Sequence, residues 1–202
     1  MKPLTAASPH ALIMIGIPGA GKSTFATQFA TTFQALILSS STYERMYEIA
    51  PANAEKLSEE ILTEFMKTTK TIVIDGGFNH KEKREAMVRR LVKAGYRPLI
   101  VWVQTDTAEA YRRASKPFPK GSGIQDAQFD ILLDEFEPPG DREKIVVISG
   151  KHTYTSQLKI VLKQLAVADH SQPRVPLSPE QKNQAEQINV RNHSRNRGTF
   201  LR

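Results

Sequence analysis

Apolar residues along the chain gather into five short runs, Ala11–Ile17, Ala35–Ser39, Thr71–Asp75, Pro98–Val103 and Lys144–Ile148, with little polar alternation inside them. Strands that are apolar on both faces need helices on both faces, so these runs predict a parallel sheet. Between them, apolar positions recur at helical spacing over Lys22–Phe33, Ala54–Thr68, Lys81–Ala94, Thr107–Ser115, Gln125–Phe136 and Thr155–Ala168. Strand and helix in alternation give the order of a doubly wound α/β domain over residues 11–168. Asn79 with Glu82 three residues later predicts a capping box before the helix over Lys81–Ala94, and Gly95 its stop.

Two stretches break the rhythm. SKPFPKGSG, Ser115–Gly123, carries two prolines, two glycines and two lysines and reads as a basic loop. Residues 169–202 begin with Pro173, Pro176 and Pro179 and end in RNHSRNRGTFLR, a linker followed by a basic C-terminal tail, with room for a short helix over Pro179–Val190 capped by Ser178.

Charge sharpens this division. The formal net charge is +7, and residues 169–202 hold six basic groups against three acidic ones, leaving +3 on the tail and +4 on the body. From Gln187 onward there are four arginines and no carboxylate, so residues 187–202 are a candidate contact for a nucleic-acid backbone; the alternative is a solvated terminus. There is no cysteine, and the five histidines lack the paired spacing of a zinc motif, which excludes disulfides and argues against structural zinc. No run approaches the ~20 apolar residues of a membrane span, and residues 1–10 lack the apolar stretch of a secretory signal. A soluble, cytoplasmic protein without a membrane partner is expected.

The sharpest chemical signal is Gly16-Ile17-Pro18-Gly19-Ala20-Gly21-Lys22-Ser23-Thr24, which satisfies G-x-x-x-x-G-K-[ST] at every fixed position and lies between a predicted strand and a predicted helix. Glycines let successive backbone N–H groups face one anion, and the helix start adds its positive dipole end. Lys22 would reach the β and γ phosphates of a nucleoside triphosphate, and the Ser23 hydroxyl would ligate Mg²⁺. No N/T-K-x-D segment follows a strand, as a GTPase would require, and the chain is short for a large motor. Size and motif together point to a small kinase that uses ATP.

These residues resemble the small P-loop kinases related to polynucleotide kinase and zeta toxin, within the AAA-type ATP-binding proteins. The likeness rests on GIPGAGKSTFA, SSTYER (Ser40–Arg45), VIDGGFNHKEKR (Val73–Arg84), YRRASK (Tyr111–Lys116) and FEPP (Phe136–Pro139), in the family's order. The resemblance implies a three-layer P-loop NTPase fold with a five-stranded parallel sheet in the order 2-3-1-4-5. It implies that Lys22 and Ser23 hold the triphosphate and Mg²⁺, that Asp75 acts on metal, water or acceptor, and that Arg45 grips an acceptor phosphate. Arg113, with Arg112 beside it, matches the lid arginine that closes over the transferring phosphoryl group, and FEPP the segment near the adenine. The acceptor would enter between Thr42–Tyr47, Asn79 and the lid.

Two positions depart from the family. Thr42 stands where its relatives place the aspartate that takes the acceptor's proton, and Pro117 where many carry a second lid arginine. Two functions are therefore carried forward: a kinase acting on a hydroxyl acceptor, whether a polynucleotide 5′-hydroxyl, a nucleotide sugar or another small compound, and an ATP-binding module or switch with weakened chemistry.

Overall fold

The computed structural model describes residues 9–116, 123–140 and 143–170. The elements run β1 (His10–Ile15), α1 (Lys22–Phe33), β2 (Leu36–Leu38), α2 (Ser40–Tyr47), α3 (Pro51–Lys67), β3 (Ile72–Asp75), α4 (Lys81–Lys93), β4 (Arg97–Gln104), α5 (Thr107–Ala114), α6 (Asp126–Asp134), β5 (Ile145–Ser149) and α7 (Tyr154–His170). All four strand pairings are parallel, and the sheet order is β2-β3-β1-β4-β5. Both features match the expectation. The second lid position, Pro117, and the arm over 187–202 lie outside the described residues, as does the helix expected over Pro179–Val190. Among the described residues no helix is long and apolar enough to cross a membrane.

The central position of β1 follows from its composition: all six of its residues are buried, as a strand with neighbours on both edges and helices on both faces requires. Its alternate residues feed two cores. Leu12 and Met14 join Phe25, Phe29 and Phe33 of α1 and Val161 and Leu165 of α7. Ala11, Ile13 and Ile15 join Leu62 of α3 and Met87 and Leu91 of α4. On β3, Val73 belongs to the α1 side while Ile72 and Ile74 belong to the α3/α4 side. The next residue, Asp75, therefore turns toward α1, which is what brings a carboxylate to the start of that helix.

Two local features differ from the expectation. α2 does not announce itself, because its eight residues bury none of their side chains fully; Tyr43 packs only partly against the α3/α4 core. α4 starts where predicted but is not capped by Asn79 and Glu82. Its N-cap residue is His80, which makes no side-chain cap bond, and the Lys81 N–H donates instead to Glu137 Oε2 at 2.7 Å. The cap is thus supplied from 56 residues away. Gly95 does end this helix, at φ +83°.

The same region holds a buried ion pair. Arg84 is fully buried and donates through Nε to Glu143 Oε1 at 2.6 Å and through NH2 to Glu143 Oε2 at 3.1 Å. Its NH1 donates to the carbonyls of Phe78, Asn79 and Glu137 at 3.2, 3.0 and 3.0 Å. One guanidinium thereby pins the loop after β3 to the segment before β5.

Candidate functional site

The loop between β1 and α1 takes the shape its glycines allow. Gly16, Gly19 and Gly21 adopt φ of +138°, +74° and +105°. At Gly19 a side chain is also excluded by space, since a Cβ would lie 2.0 Å from the Ala110 carbonyl oxygen. Gly21 is the N-cap of α1 and offers no side-chain cap, and the first turn contains no acid. The first N–H groups of a helix have no carbonyl partner within it. An uncapped, acid-free N-terminus facing a left-handed glycine loop is a seat for an anion.

Lys22 begins α1, and its Nζ donates back to the carbonyls of Gly16 and Ile17 at 2.8 and 3.0 Å. Burial lowers the pKa of its ammonium, against the opposing charge of Asp75. Asp75 is 5 % exposed, and burial raises its carboxyl above the usual range, opposed by a hydrogen bond from Ser23 and by the Lys22 charge. Its Oδ1 is buried without a hydrogen-bond partner. An orphaned carboxylate oxygen costs free energy unless a cation or donor completes it. With the Ser23 hydroxyl against the same carboxylate, the donor set fits a hard cation that keeps most of its ligands as water and phosphate oxygen, such as Mg²⁺.

Further contacts brace the loop from behind, and the sequence motif does not contain them. Thr105, just past β4, donates its hydroxyl to the Ala20 carbonyl at 2.9 Å. Gly150, just past β5, lies so near that a Cβ there would sit 2.0 Å from the Ala20 carbonyl oxygen and 2.2 Å from Thr105 Oγ1. Arg113 on α5 donates through NH1 to the Gly150 carbonyl at 3.0 Å and through Nε to Glu109 at 2.7 Å. Hydrogen bonds from Arg112 and then Arg113 hold the Glu109 carboxyl down to about 2. The fold therefore brings Lys22, Ser23, Asp75 and Arg113 to the carboxyl ends of the strands, where open α/β sheets bind ligands. Pro18 and Ala20 complete the loop, and Thr24 lies exposed in the first turn of α1.

Beside the loop a cavity of about 460 Å³ opens between α3 and α4. Asp75, Gly76, Gly77 and Phe78 line it, with Leu38, Ile74 and Met87 as apolar walls and Glu55, Lys56, Glu59, Lys83 and Arg90 as its charged residues. Of the residues expected to flank an acceptor, Thr42, Arg45 and Asn79 do not line this cavity, and of α2 only Ser40 does. Arg45 is exposed on α2. Thr42 donates its hydroxyl to Ser39 Oγ at 3.0 Å, and Ser39 Oγ lies 3.2 Å from Ser41 Oγ, a cluster of hydroxyls with no carboxylate. FEPP lies at the start of α4, with Phe136 against Trp102 at 6.1 Å between ring centroids and Glu137 capping the helix.

Sheet order, loop and the Lys22–Ser23–Asp75 arrangement define a P-loop nucleotide-binding fold of the kinase type. Residues 12–139 match the family model AAA_33, described as an AAA domain, and the chain belongs to that family. No curated protein matches it in sequence. Among solved structures it is similar to a gluconokinase from Sinorhizobium meliloti 1021, at 14% identity over 79% of this chain and 93% of that one, with a TM-score of 0.55. It is also similar to shikimate kinase from Aquifex aeolicus, at 16% identity over 80% of this chain and 99% of that one, TM-score 0.55. A third likeness is to a structure of the PezAT chromosomal toxin-antitoxin system of Streptococcus pneumoniae, at 15% identity over 82% and 90%, TM-score 0.51.

Proposed function

We propose that this protein is an ATP-dependent kinase that transfers the γ-phosphate of ATP to a hydroxyl of an acceptor held in the cavity between α3 and α4. The observation that carries this is the position of Asp75, which contacts the phosphate loop through Ser23 and also lines the cavity. Donor and acceptor sites share one carboxylate.

In this reading the N–H groups of Gly19–Ser23 and the Lys22 ammonium hold the phosphates, with Lys22 exchanging the carbonyls of Gly16 and Ile17 for phosphate oxygens. Ser23 and Asp75 would hold Mg²⁺, which neutralises charge on the phosphates. The acceptor oxygen forms its bond to the γ-phosphorus as the bond to the bridging oxygen breaks, ADP leaves with that electron pair, and the hydroxyl proton passes to Asp75. Arg113 would leave Glu109 and the Gly150 carbonyl for the transferring group. A screen of hydroxyl acceptors with labelled ATP tests the proposal: acceptor-dependent ADP and labelled product are expected, absent in Lys22→Ala. ATP binding without transfer to any acceptor would overturn it.

The hydroxyl cluster of Ser39, Ser41 and Thr42 favours the second reading, an ATP-binding module whose chemistry is weakened, since no carboxylate stands where the family places its base. A general base contributes about 10²–10⁴ in rate, whereas phosphoryl transfer rests mainly on positioning and electrostatics. A slow kinase is therefore the expected form of the first reading.

A further inference from the structure

Arg113 stands beside the phosphate loop with two partners, and a second arginine decides what it costs to leave them. α5 meets the loop through the Ala110 carbonyl and the Ala114 amide, the groups nearest Gly19, so Arg113 lies on the turn that touches it. Its NH1 donates to the Gly150 carbonyl at 3.0 Å and its Nε to Glu109 Oε1 at 2.7 Å. The same carboxylate takes two bonds from Arg112, Nε to Oε2 at 2.7 Å and NH2 to Oε1 at 2.8 Å. Asp106 and Glu109 have the spacing of a capping box, in which the glutamate side chain reaches back to the N-cap N–H. Asp106 makes its half, accepting from the Glu109 N–H at 3.3 Å, while the Glu109 carboxylate reaches forward to the two arginines.

The two arginines are held unequally. Arg112 grips both oxygens of Glu109 and Arg113 grips one. When Arg113 moves to a phosphate, each oxygen of Glu109 keeps a donor from Arg112, so no orphaned carboxylate is left beside the phosphates. Were Arg112 to move instead, Oε2 would lose its donor. The geometry points to Glu109 as a positioning residue that sets the affinity for the γ-phosphate. Through its bond to Arg113 it competes with that phosphate for the arginine, and Arg112 is the standing counter-ion that keeps the competition weak enough for ATP to win. This rests on the kinase reading for the destination of Arg113. A ligand that needs a group held elsewhere binds more weakly in proportion to the fraction of molecules in which that group is released. ADP has no γ-phosphate and does not draw on Arg113, so the hold is felt as a reduced preference for ATP over ADP.

Calorimetry on the full chain with Mg²⁺, comparing ADP with a non-hydrolysable ATP analogue, reads that preference. Glu109→Gln leaves the Asp106 cap in place, because the cap uses the backbone N–H at 109. It is expected to raise the preference for the analogue about 3- to 10-fold, between the roughly twofold of an exposed helix ion pair and the roughly 10- to 100-fold of a fully desolvated charge-assisted bond. Arg112→Ala should lower the preference by a similar factor, and Glu109→Gln added to it should restore it. In an Arg113→Ala background neither substitution should move the preference by more than about twofold, since both act through that arginine. An ion pair that merely stabilises α5 would change the melting temperature and leave the preference where it was. A gain shared equally by ADP, a gain that persists without Arg113, a fall on Glu109→Gln, or no change would each overturn the inference. The expected preferences without transfer to any hydroxyl acceptor would overturn the kinase reading and leave the role of Glu109 standing. Phosphorylation of an acceptor with a preference indifferent to Glu109 would do the reverse.

Discussion

Arg84 and Glu143 meet through two parallel hydrogen bonds, Nε to Oε1 at 2.6 Å and NH2 to Oε2 at 3.1 Å, with the arginine side chain fully buried and the glutamate 6 % exposed. Removing one member of a buried pair leaves an uncompensated charge and costs about 3–5 kcal/mol. Glu143→Gln is expected to lower stability by that order. Arg84→Met should cost as much and also loosen the loop carrying Phe78 and Asn79, whose carbonyls it holds. Urea unfolding of both variants measures the loss, and a cost below about 1 kcal/mol would show that the pair is not needed.

The same pair sets an acid limit. Hydrogen bonding from Arg84 holds the Glu143 carboxyl below its ordinary value of 4.5. A carboxyl depressed in the folded state contributes stability that is fully present above its unfolded pKa and is lost as pH falls through the folded one. The thermal midpoint of the wild type should therefore fall below about pH 4.5, and Glu143→Gln should show a smaller fall over that window. Parallel curves for the two proteins would assign the acid loss elsewhere.

Gly19→Ala places a side chain at φ +74° and a Cβ 2.0 Å from the Ala110 carbonyl oxygen. The left-handed conformation alone costs roughly 1–2 kcal/mol, and the clash forces the loop away from α5. ATP affinity is expected to drop at least about tenfold, with little change in the urea midpoint, because the loop rather than the core must move. Titration with a fluorescent ATP analogue measures it; unchanged affinity would mean that the loop's resting shape is not its binding shape.

Thr42→Asp restores a carboxylate beside Ser39, whose hydroxyl now accepts from Thr42 at 3.0 Å. On the kinase reading kcat should rise at least about tenfold with KM for ATP unchanged, below the ~10²–10⁴ of an optimised base. No rise would leave Asp75 as the sufficient proton acceptor.

Glu137→Ala removes the carboxylate that accepts from the Lys81 N–H at 2.7 Å. Loss of a helix cap costs typically about 1 kcal/mol. Glu137→Gln should recover part of it, and Asn79→Ala little, since Asn79 makes its contacts there through its carbonyl.

What the sequence shows and what it hides divide along physical lines. Gly16 to Thr24 are legible because a short motif, a strand and a helix are contiguous, and Asp75 because it ends an apolar run. Among the described residues, pattern also places the five strands and six of the seven helices, since buried faces impose a period. α2 escapes because it buries no face fully. The cap from Glu137, the hydroxyl from Thr105 and the close approach of Gly150 escape for another reason: each is a relation between residues tens of positions apart. Arg84 was visible as part of VIDGGFNHKEKR, but nothing local says that it is buried and paired with Glu143.

Among the described residues, the neighbours that brace the phosphate loop from behind include Val103 against Gly16, Ala110 and Ala114 against Gly19, and Thr105 and Gly150 against Ala20. Every residue lining the cavity falls between Leu38 and Arg90. The phosphate loop and the cavity are thus walled by different stretches of chain, which meet along β1, at Asp75, and through Arg84–Glu143 and the Lys81 N–H to Glu137. On the kinase reading, substitutions among the cavity residues other than Asp75 would change which hydroxyl is offered without disturbing the grip on the donor, so a lineage built on this plan could change acceptors by rewriting one stretch of its sequence.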